Sequence, residues 1–420
     1  MSQIHQNKSG WPQWPTCDQE KVMVAMREVI DSNRWSVRGS WTGKTSKEEE
    51  FSEMFCKFNN CRYTVLTTSG TTGLSLALDA LDIGPGDEVI VPALTWIAPI
   101  TSILNVGATP VLVDVDSNTT CIDPDKIVPA ITNATKAIIA VHLHCSLANM
   151  DKIMEIAKAH ALNVIEDCSQ AHGALWGEKR VGTIGDIGVY SLNQEKVLCC
   201  GEGGAVITND QLLYEKLCRI KTDGCAFDWE RKILGCDQLI YENAVMGGNC
   251  CISEFQSALL IQQLQDLDAQ NQARLKNAQY LDTALSDIQG LYSLTHHAKA
   301  NRRTYYEYGI RVNLDEYDTK DLTFLCDSLS AKLGFPLHQT DAPVYRSPLF
   351  TPGTRKRFQH YWESNQFACL NSDHYPNCEL LHRSLIVFHH SILLGTLEQM
   401  EQIVHAFQEL AGVLRQTHAI

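Results

Sequence analysis

Between residues 60 and 210 the chain alternates short apolar runs with longer segments whose apolar positions recur at helical spacing. The run 63–68 (YTVLTT) precedes 71–83 (TTGLSLALDALDI), and 87–93 (DEVIVPA) precedes a helical stretch opening at Trp96 (WIAPITSILNVGA). Further apolar runs lie at 110–116, 136–144 and 162–167, with the amphipathic segment 150–161 between the last two. Short continuous apolar strands separated by amphipathic helices predict an α/β fold, a mostly parallel sheet covered by helices on both faces. In such sheets ligands bind at the carboxyl ends of the strands. Residues 222–252 show weak periodicity and several glycines, and a loop of that length predicts a functional or intersubunit excursion. Two helices (253–267 and 273–285) and an alternating strand (304–314) follow. The expected organisation is a large domain over 1–295, including the N-terminal segment and the long loop, and a smaller C-terminal α+β domain over 296–420.

Composition narrows the partners. The 420 residues are 44% hydrophobic, ample for a large core. The 35 basic against 49 acidic side chains leave a net charge of −14, and the basic residues are scattered, which argues against a nucleic-acid partner. The N-terminus lacks a signal-peptide layout, and no window approaches the roughly 18 apolar residues of a membrane span. Sixteen cysteines include the adjacent pairs Cys199-Cys200 and Cys250-Cys251 but no C-x-x-C spacing. They read as small buried hydrophobes in a reducing, cytoplasmic compartment, and no metal site is expected.

The chemistry concentrates at predicted strand ends. Lys196 lies between an apolar run ending at Ser191 and the glycine turn GEGG. An amine that attacks a carbonyl must be desolvated or otherwise partly deprotonated; a solvated loop lysine is the plain alternative. Asp167 ends the run LNVIED, where an acid suits a protonated pyridine nitrogen and also suits a helix cap. Gln170 and His172 follow as polar groups able to face a cofactor, although a structural role fits His172 equally. Ser69, Gly70, Thr71 and Thr72 sit at a strand-to-helix turn, where free N–H groups and the helix dipole favour a phosphate. Trp96 follows another strand end and can stack on a flat ring or simply pack. Ser191 can offer its hydroxyl to the same phosphate. Neither a P-loop nor a dinucleotide G-x-G-x-x-G turn is present.

Taken in order, TSGTTGL, GDEVIVPALTW, GATPVLVDVD, IEDCSQAHGA, GDIGVYSLNQEKVLCCGEGGA and ISEFQSALL make a combination that resembles the DegT/StrS family of fold-type I aminotransferases. The flanks WPQWP, RWSVRGS, AVHLHCSLANMDKIMEIAKAH and PVYRSPLF look like the branch that aminates cyclic ketones. That branch includes glutamine:scyllo-inosose aminotransferases and, more distantly, 3-amino-5-hydroxybenzoate synthases. The resemblance implies pyridoxal 5'-phosphate, cycling through pyridoxamine 5'-phosphate, with Lys196 as its Schiff-base lysine and proton carrier. It implies that Asp167 holds the pyridine nitrogen, Gln170 and Trp96 face the ring, and Gly70, Thr71 and Ser191 bind phosphate. Asn249 in the long loop would reach the phosphate of a neighbouring subunit, so the active form would be a homodimer. The implied substrates are an amino-acid donor, glutamine or glutamate, and a ketone on a cyclitol or sugar ring, as in secondary-metabolite biosynthesis.

Three positions depart from the family pattern. Cys250-Cys251 follows Asn249 where Asn-x-Arg is common, His144-Cys145 replaces Tyr-Gly, and Ser391 stands where a basic residue is frequent. These leave the cofactor chemistry intact and bear on the donor and acceptor. The alternatives are a dehydrating or aromatising use of the same cofactor, which Lys196 disfavours because family dehydratases carry His there, a nucleotide-ketosugar aminotransferase, and a non-catalytic partner subunit. Trp11, Trp14, Trp35, Tyr345 and Arg346 are candidates for shaping the substrate pocket.

Overall fold

The computed structural model describes residues 10–241, 245–317, 321–359, 361 and 371–416. The first strands are β1 (Tyr63–Thr67), β2 (Glu88–Pro92), β3 (Thr109–Val113), β4 (Thr135–Val141) and β5 (Asn163–Asp167). A small hairpin, β6 (Leu175–Trp176) with β7 (Lys179–Arg180), leads to β8 (Ile187–Ser191) and β9 (Gly204–Thr208). Seven of these form one sheet in the order β1-β9-β8-β5-β4-β2-β3. Only β9 runs antiparallel to its neighbours. No helix crosses over between β8 and β9, so the chain turns back beside itself rather than returning parallel. That turn, residues 192–203, carries Lys196.

Alternate residues of each strand point to opposite faces, and both faces are buried. Val65, Val89, Ile139, Ile165, Val189 and Val206 enter one core; Leu66, Ile90, Ile138, Val164, Tyr190 and Ala205 enter the other. The covering helices are α1 (Gln19–Ser32), α2 (Lys47–Asn59), α3 (Gly70–Ala80), α4 (Ala98–Asn105), α5 (Met150–His160), α6 (Gln211–Lys221) and α7 (Glu254–Ser286). The predicted strands and helices of this region appear with ends shifted by a few residues.

One expectation is corrected. The segment read as two helices is the single 33-residue helix α7, started by a capping box between Ser253 and Gln256. The polar stretch between its halves is not a break but a buried network. The Asn271 amide donates to the His172 carbonyl (2.9 Å), and Arg274 donates to Asn271 Oδ1 (3.0 Å) and Gln270 Oε1 (3.2 Å). Interior side chains bonded to one another and to a neighbouring carbonyl leave the helical backbone hydrogen bonds undisturbed.

The 222–252 segment is largely irregular, with one short pairing of β10 (Ala226–Phe227) and β11 (Leu239–Ile240); residues 242–244 lie outside the described chain. Its start is anchored by Lys221, which is buried, pairs with Glu48 and donates to the Leu66 carbonyl at 3.0 Å. A smaller C-terminal domain is built on an antiparallel sheet in the order β12-β13-β15-β14, from β12 (Leu291–Ser293), β13 (Glu307–Val312), β14 (His338–Gln339) and β15 (Leu385–His389). The N-terminal residues bind both parts: Trp11 donates to the Leu333 carbonyl (2.6 Å) and Trp14 to the Gln194 carbonyl (2.9 Å). The described cysteines are free, and among the described residues no helix is long and apolar enough to cross a membrane.

Candidate active site

A cavity of about 830 Å³ lies where the carboxyl ends of β4, β5 and β8 meet the start of α3 and the C-terminal sheet. Lys196, Asp167, Gln170, Ser191, Gly70, Thr71 and Trp96 all line it, so the structure brings together seven of the eight residues that the family resemblance assigns to the cofactor. Asn249 is not among them. It bridges to Thr222 within the long loop, and its side-chain oxygen accepts from the Cys251 N–H at 3.3 Å.

One end of the cavity is an anion site in form. Ser69 caps α3, its hydroxyl accepting from the Thr72 N–H at 3.1 Å. The N–H groups of Gly70 and Thr71 then point out of the first turn with no acceptor inside the helix. Close packing here excludes side chains: a Cβ on Gly204 would stand 2.4 Å from the Ser69 carbonyl, and one on Gly70 2.9 Å from Ser191 Cβ. The glycine turn after Lys196 therefore lets β9 approach the helix start, and Ser191 comes to lie beside it.

Lys196 is held by its backbone neighbours. The carbonyl of Glu195 accepts from the Nε2 atoms of His389 and His390, each at 3.1 Å, and Trp14 grips Gln194. Ser391 fixes the tautomer of His389: its N–H donates to Nδ1 at 3.3 Å, so Nε2 carries the hydrogen. The Lys196 ammonium stands 3.7 Å from the ring centroid of Tyr306. Desolvation pushes its pKa down to about 8 against the opposing pull of Asp167, Glu307, Asp341 and Glu195.

Asp167, buried at the end of β5, accepts from the Ser169 N–H at 3.0 Å. Burial raises its pKa, while the Ser169 hydrogen bonds and the charges of Lys196 and His142 act the other way. Gln170 Oε1 accepts from the His144 N–H at 2.5 Å, which leaves its NH₂ as a donor. Trp96 stands at the mouth, about half exposed at 52%. His172 lies outside the lining: its Nε2 bonds the Ser191 carbonyl at 2.9 Å, and burial lowers its pKa to about 3, so it is a neutral support behind β8. His142, Glu166 and Cys168 group as metal ligands can, but Glu166 already accepts the N–H groups of Gly182, Ile184 and Gly185.

Sequence reasoning missed the wall contributed by the C-terminal sheet: Tyr306, Glu307, His338, Asp341 and His389. A signal existed in the charged Glu307 inside TYYEYGIRV and in His389 and His390 ending an apolar strand. Of the suggested pocket-shaping residues only Trp14 reaches the cavity. Trp11 packs on Phe335, Trp35 on Phe255, and Tyr345 and Arg346 both bind Glu379 (2.8 and 2.6 Å). His144 and Ser391 line the cavity; Cys145, Cys250 and Cys251 do not.

Because the amine is desolvated, its reaction with a small aldehyde should follow a titration centred near pH 8. Below that midpoint the rate should fall about tenfold per pH unit, since only the free amine reacts. Rates of aldehyde trapping, resolved by peptide mass, check this; a midpoint near the ordinary 10.5 contradicts it.

Comparison with known proteins agrees with this geometry. Residues 17–379 match the model of the DegT/DnrJ/EryC1/StrS aminotransferase family. An L-glutamine:2-deoxy-scyllo-inosose aminotransferase of Streptoalloteichus tenebrarius is 40% identical over 405 residues, 96% of this chain and 94% of that protein. An L-glutamine:scyllo-inosose aminotransferase of Streptomyces griseus is 34% identical, covering 97% and 95%. The crystal structure of an aminotransferase from Psychrobacter cryohalolentis superposes with a TM-score of 0.83 at 30% identity, covering 96% and 99%. The chain belongs to the DegT/DnrJ/EryC1/StrS aminotransferase family and is a pyridoxal-phosphate-dependent aminotransferase.

Proposed function

We propose that this enzyme transfers the amino group of glutamine to the ketone carbon of a scyllo-inosose-type ring, in aminocyclitol biosynthesis. The observation that carries the reading is a desolvated Lys196 in one cavity with Asp167 and the open start of α3, in a chain that aligns end to end with glutamine:inosose enzymes. The residues fit pyridoxal phosphate: a glycine-tight helix start for the phosphate, a buried carboxylate for the pyridine nitrogen, and an amine kept close to neutral.

Gly70 and Thr71 N–H groups and the Ser191 hydroxyl hold the phosphate. Asp167, oriented by Ser169, would accept a hydrogen bond from the protonated pyridine nitrogen and keep it protonated, and Gln170 and Trp96 would bound the ring. When bound, the cofactor supplies an electron sink for the charge left as a Cα–H bond breaks. Lys196 Nζ takes that proton and returns it, a role that requires an amine with a pKa near working pH. Tyr306 and the clamped Glu195 carbonyl restrict where Nζ can go. Glutamine gives up its amine in a first half-reaction, and the ring ketone receives it in a second.

We further propose that the enzyme is a cytoplasmic homodimer in which Asn249 serves the neighbouring site. Its absence from the lining of this chain's own cavity supports that reading, as does the exposed apolar surface of the loop that carries it (Ile233, Leu234, Tyr241 and Met246).

Incubation with glutamine and scyllo-inosose or its 2-deoxy form should yield the aminated ring by mass spectrometry, and Lys196→Ala should lower turnover by at least about 10³. Loss of water from the product, or no exchange of ketone for amine, contradicts the assignment. If Asn249 acts across the dimer, mixing inactive Lys196→Ala with weakened Asn249→Ala subunits should restore about a quarter of wild-type activity, since half of the dimers gain one intact site. A mixture no more active than its better component contradicts that arrangement.

A further inference from the structure

We propose that the cavity wall beside Lys196, formed by His338 and Asp341 on a support of Glu307 and His144, reads the hydroxyl groups of the acceptor. The acceptor class it selects is an uncharged polyhydroxylated ring ketone. This inference rests on the reading that the chain aminates a ring ketone.

The wall is a connected set. Glu307 Oε2 lies 2.7 Å from His144 Nδ1, and its Oε1 lies 3.0 Å from His338 Nε2. His144 Nε2 is in turn 2.8 Å from the Thr340 hydroxyl. Burial opposes the charge on Glu307, yet the hydrogen bonds from His144 and His338 hold its carboxyl well below the usual carboxylate range. Both Glu307 oxygens are thereby engaged, and Glu307 is a positioning residue rather than a direct contact. The imidazole at 144 matters for this geometry. It presents two nitrogens on opposite edges, linking Glu307 to Thr340.

What remains open to a ligand is specific. His338 gives Nε2 to Glu307, while its Nδ1 has no partner among the described residues and its side chain is 54% exposed. Asp341 lines the same wall, and its carboxylate has no hydrogen-bond partner among the described residues. A carboxylate accepts hydrogen bonds from hydroxyls, and the His338 ring, which its Glu307 hydrogen bond biases toward the protonated form, offers Nδ1 to a hydroxyl oxygen. Neither His338 nor Asp341 is among the groups assigned to the cofactor, which leaves both for substrate.

The charge balance selects further. The described lining includes the carboxylates of Asp167, Glu195, Glu202, Glu307 and Asp341, against Lys196 as its lone lysine, the imidazoles of His142, His144, His338 and His389, and no arginine. Such a field disfavours an acceptor that carries phosphate and tolerates a neutral one.

The test uses the full-length enzyme loaded with pyridoxal phosphate and glutamine as donor. It compares kcat/KM for the pentahydroxy ring ketone, for analogues each lacking one hydroxyl, and for a phosphorylated ring ketone. Wild type is set beside His338→Phe, Asp341→Asn and Glu307→Gln, each first shown to retain the cofactor absorption band. Loss of a hydroxyl that the wall reads should cost wild type at least about tenfold, and cost His338→Phe or Asp341→Asn less than about threefold. Glu307→Gln should raise KM for the full ketone more than it lowers kcat, and the phosphorylated ketone should be at least about a hundredfold worse than the neutral one. Identical hydroxyl penalties in wild type and both variants, or equal use of the phosphorylated ketone, overturns the proposal. A wild type that takes no ring ketone overturns the acceptor reading itself and this assignment with it.

Discussion

The structure turns on weakening the proton affinity of one amine in a cavity rich in carboxylates. Two buried-side lysines show the difference that placement makes. Lys221 is enclosed with Glu48 as its partner, and although burial opposes its charge, that carboxylate raises its pKa. It is locked as a cation and serves only to pin α6 to α2 and β1. Among the described residues Lys196 has no carboxylate in contact; desolvation wins, and its pKa falls from 10.5 to about 8. Disfavouring the charge to that extent corresponds to about 3 kcal/mol. The sign follows: between pH 8 and 10.5 the unfolded chain binds more protons at this site, so this group alone makes stability rise with pH across that window. A catalytic amine is thus obtained at a cost to the fold.

Holding the amine in place draws on distant parts of the chain. The turn from β8 to β9 is gripped by Trp14 from the N-terminal segment and by His389 and His390 from the end of β15. Beneath them the guanidinium of Arg274 lies 5.3 Å from the Trp14 ring, and Asn271 holds the His172 carbonyl behind Ser191. The polar middle of α7 is therefore a platform for the catalytic turn, and the C-terminal sheet closes the site as well as walling it. Ser391 acts within this grip by orienting His389.

Local pattern revealed those parts of the molecule that local pattern determines. Apolar runs such as DEVIVPA and LNVIED, buried on both faces, could only be interior strands, and their carboxyl ends located Asp167 and the start of α3. Lys196 and Ser191 were legible because one lies in, and the other opens, a turn between two such strands. The long-range pairings were not. Nothing near His144 in sequence announces that Glu307 and Thr340, more than 160 residues away, meet its two nitrogens. The polar stretch in α7 read as a break because its partners, chiefly the His172 carbonyl, come from another element. Tyr345 and Arg346 looked available for substrate until Glu379 was seen to occupy both.

The most direct test of the central claim is to bind pyridoxal phosphate to the native protein, reduce with borohydride and map the modified peptides by mass. A single stoichiometric pyridoxyl adduct on Lys196, with none on Lys221 or the surface lysines, is the predicted result. An adduct spread over several lysines, or centred on any lysine other than Lys196, would contradict it.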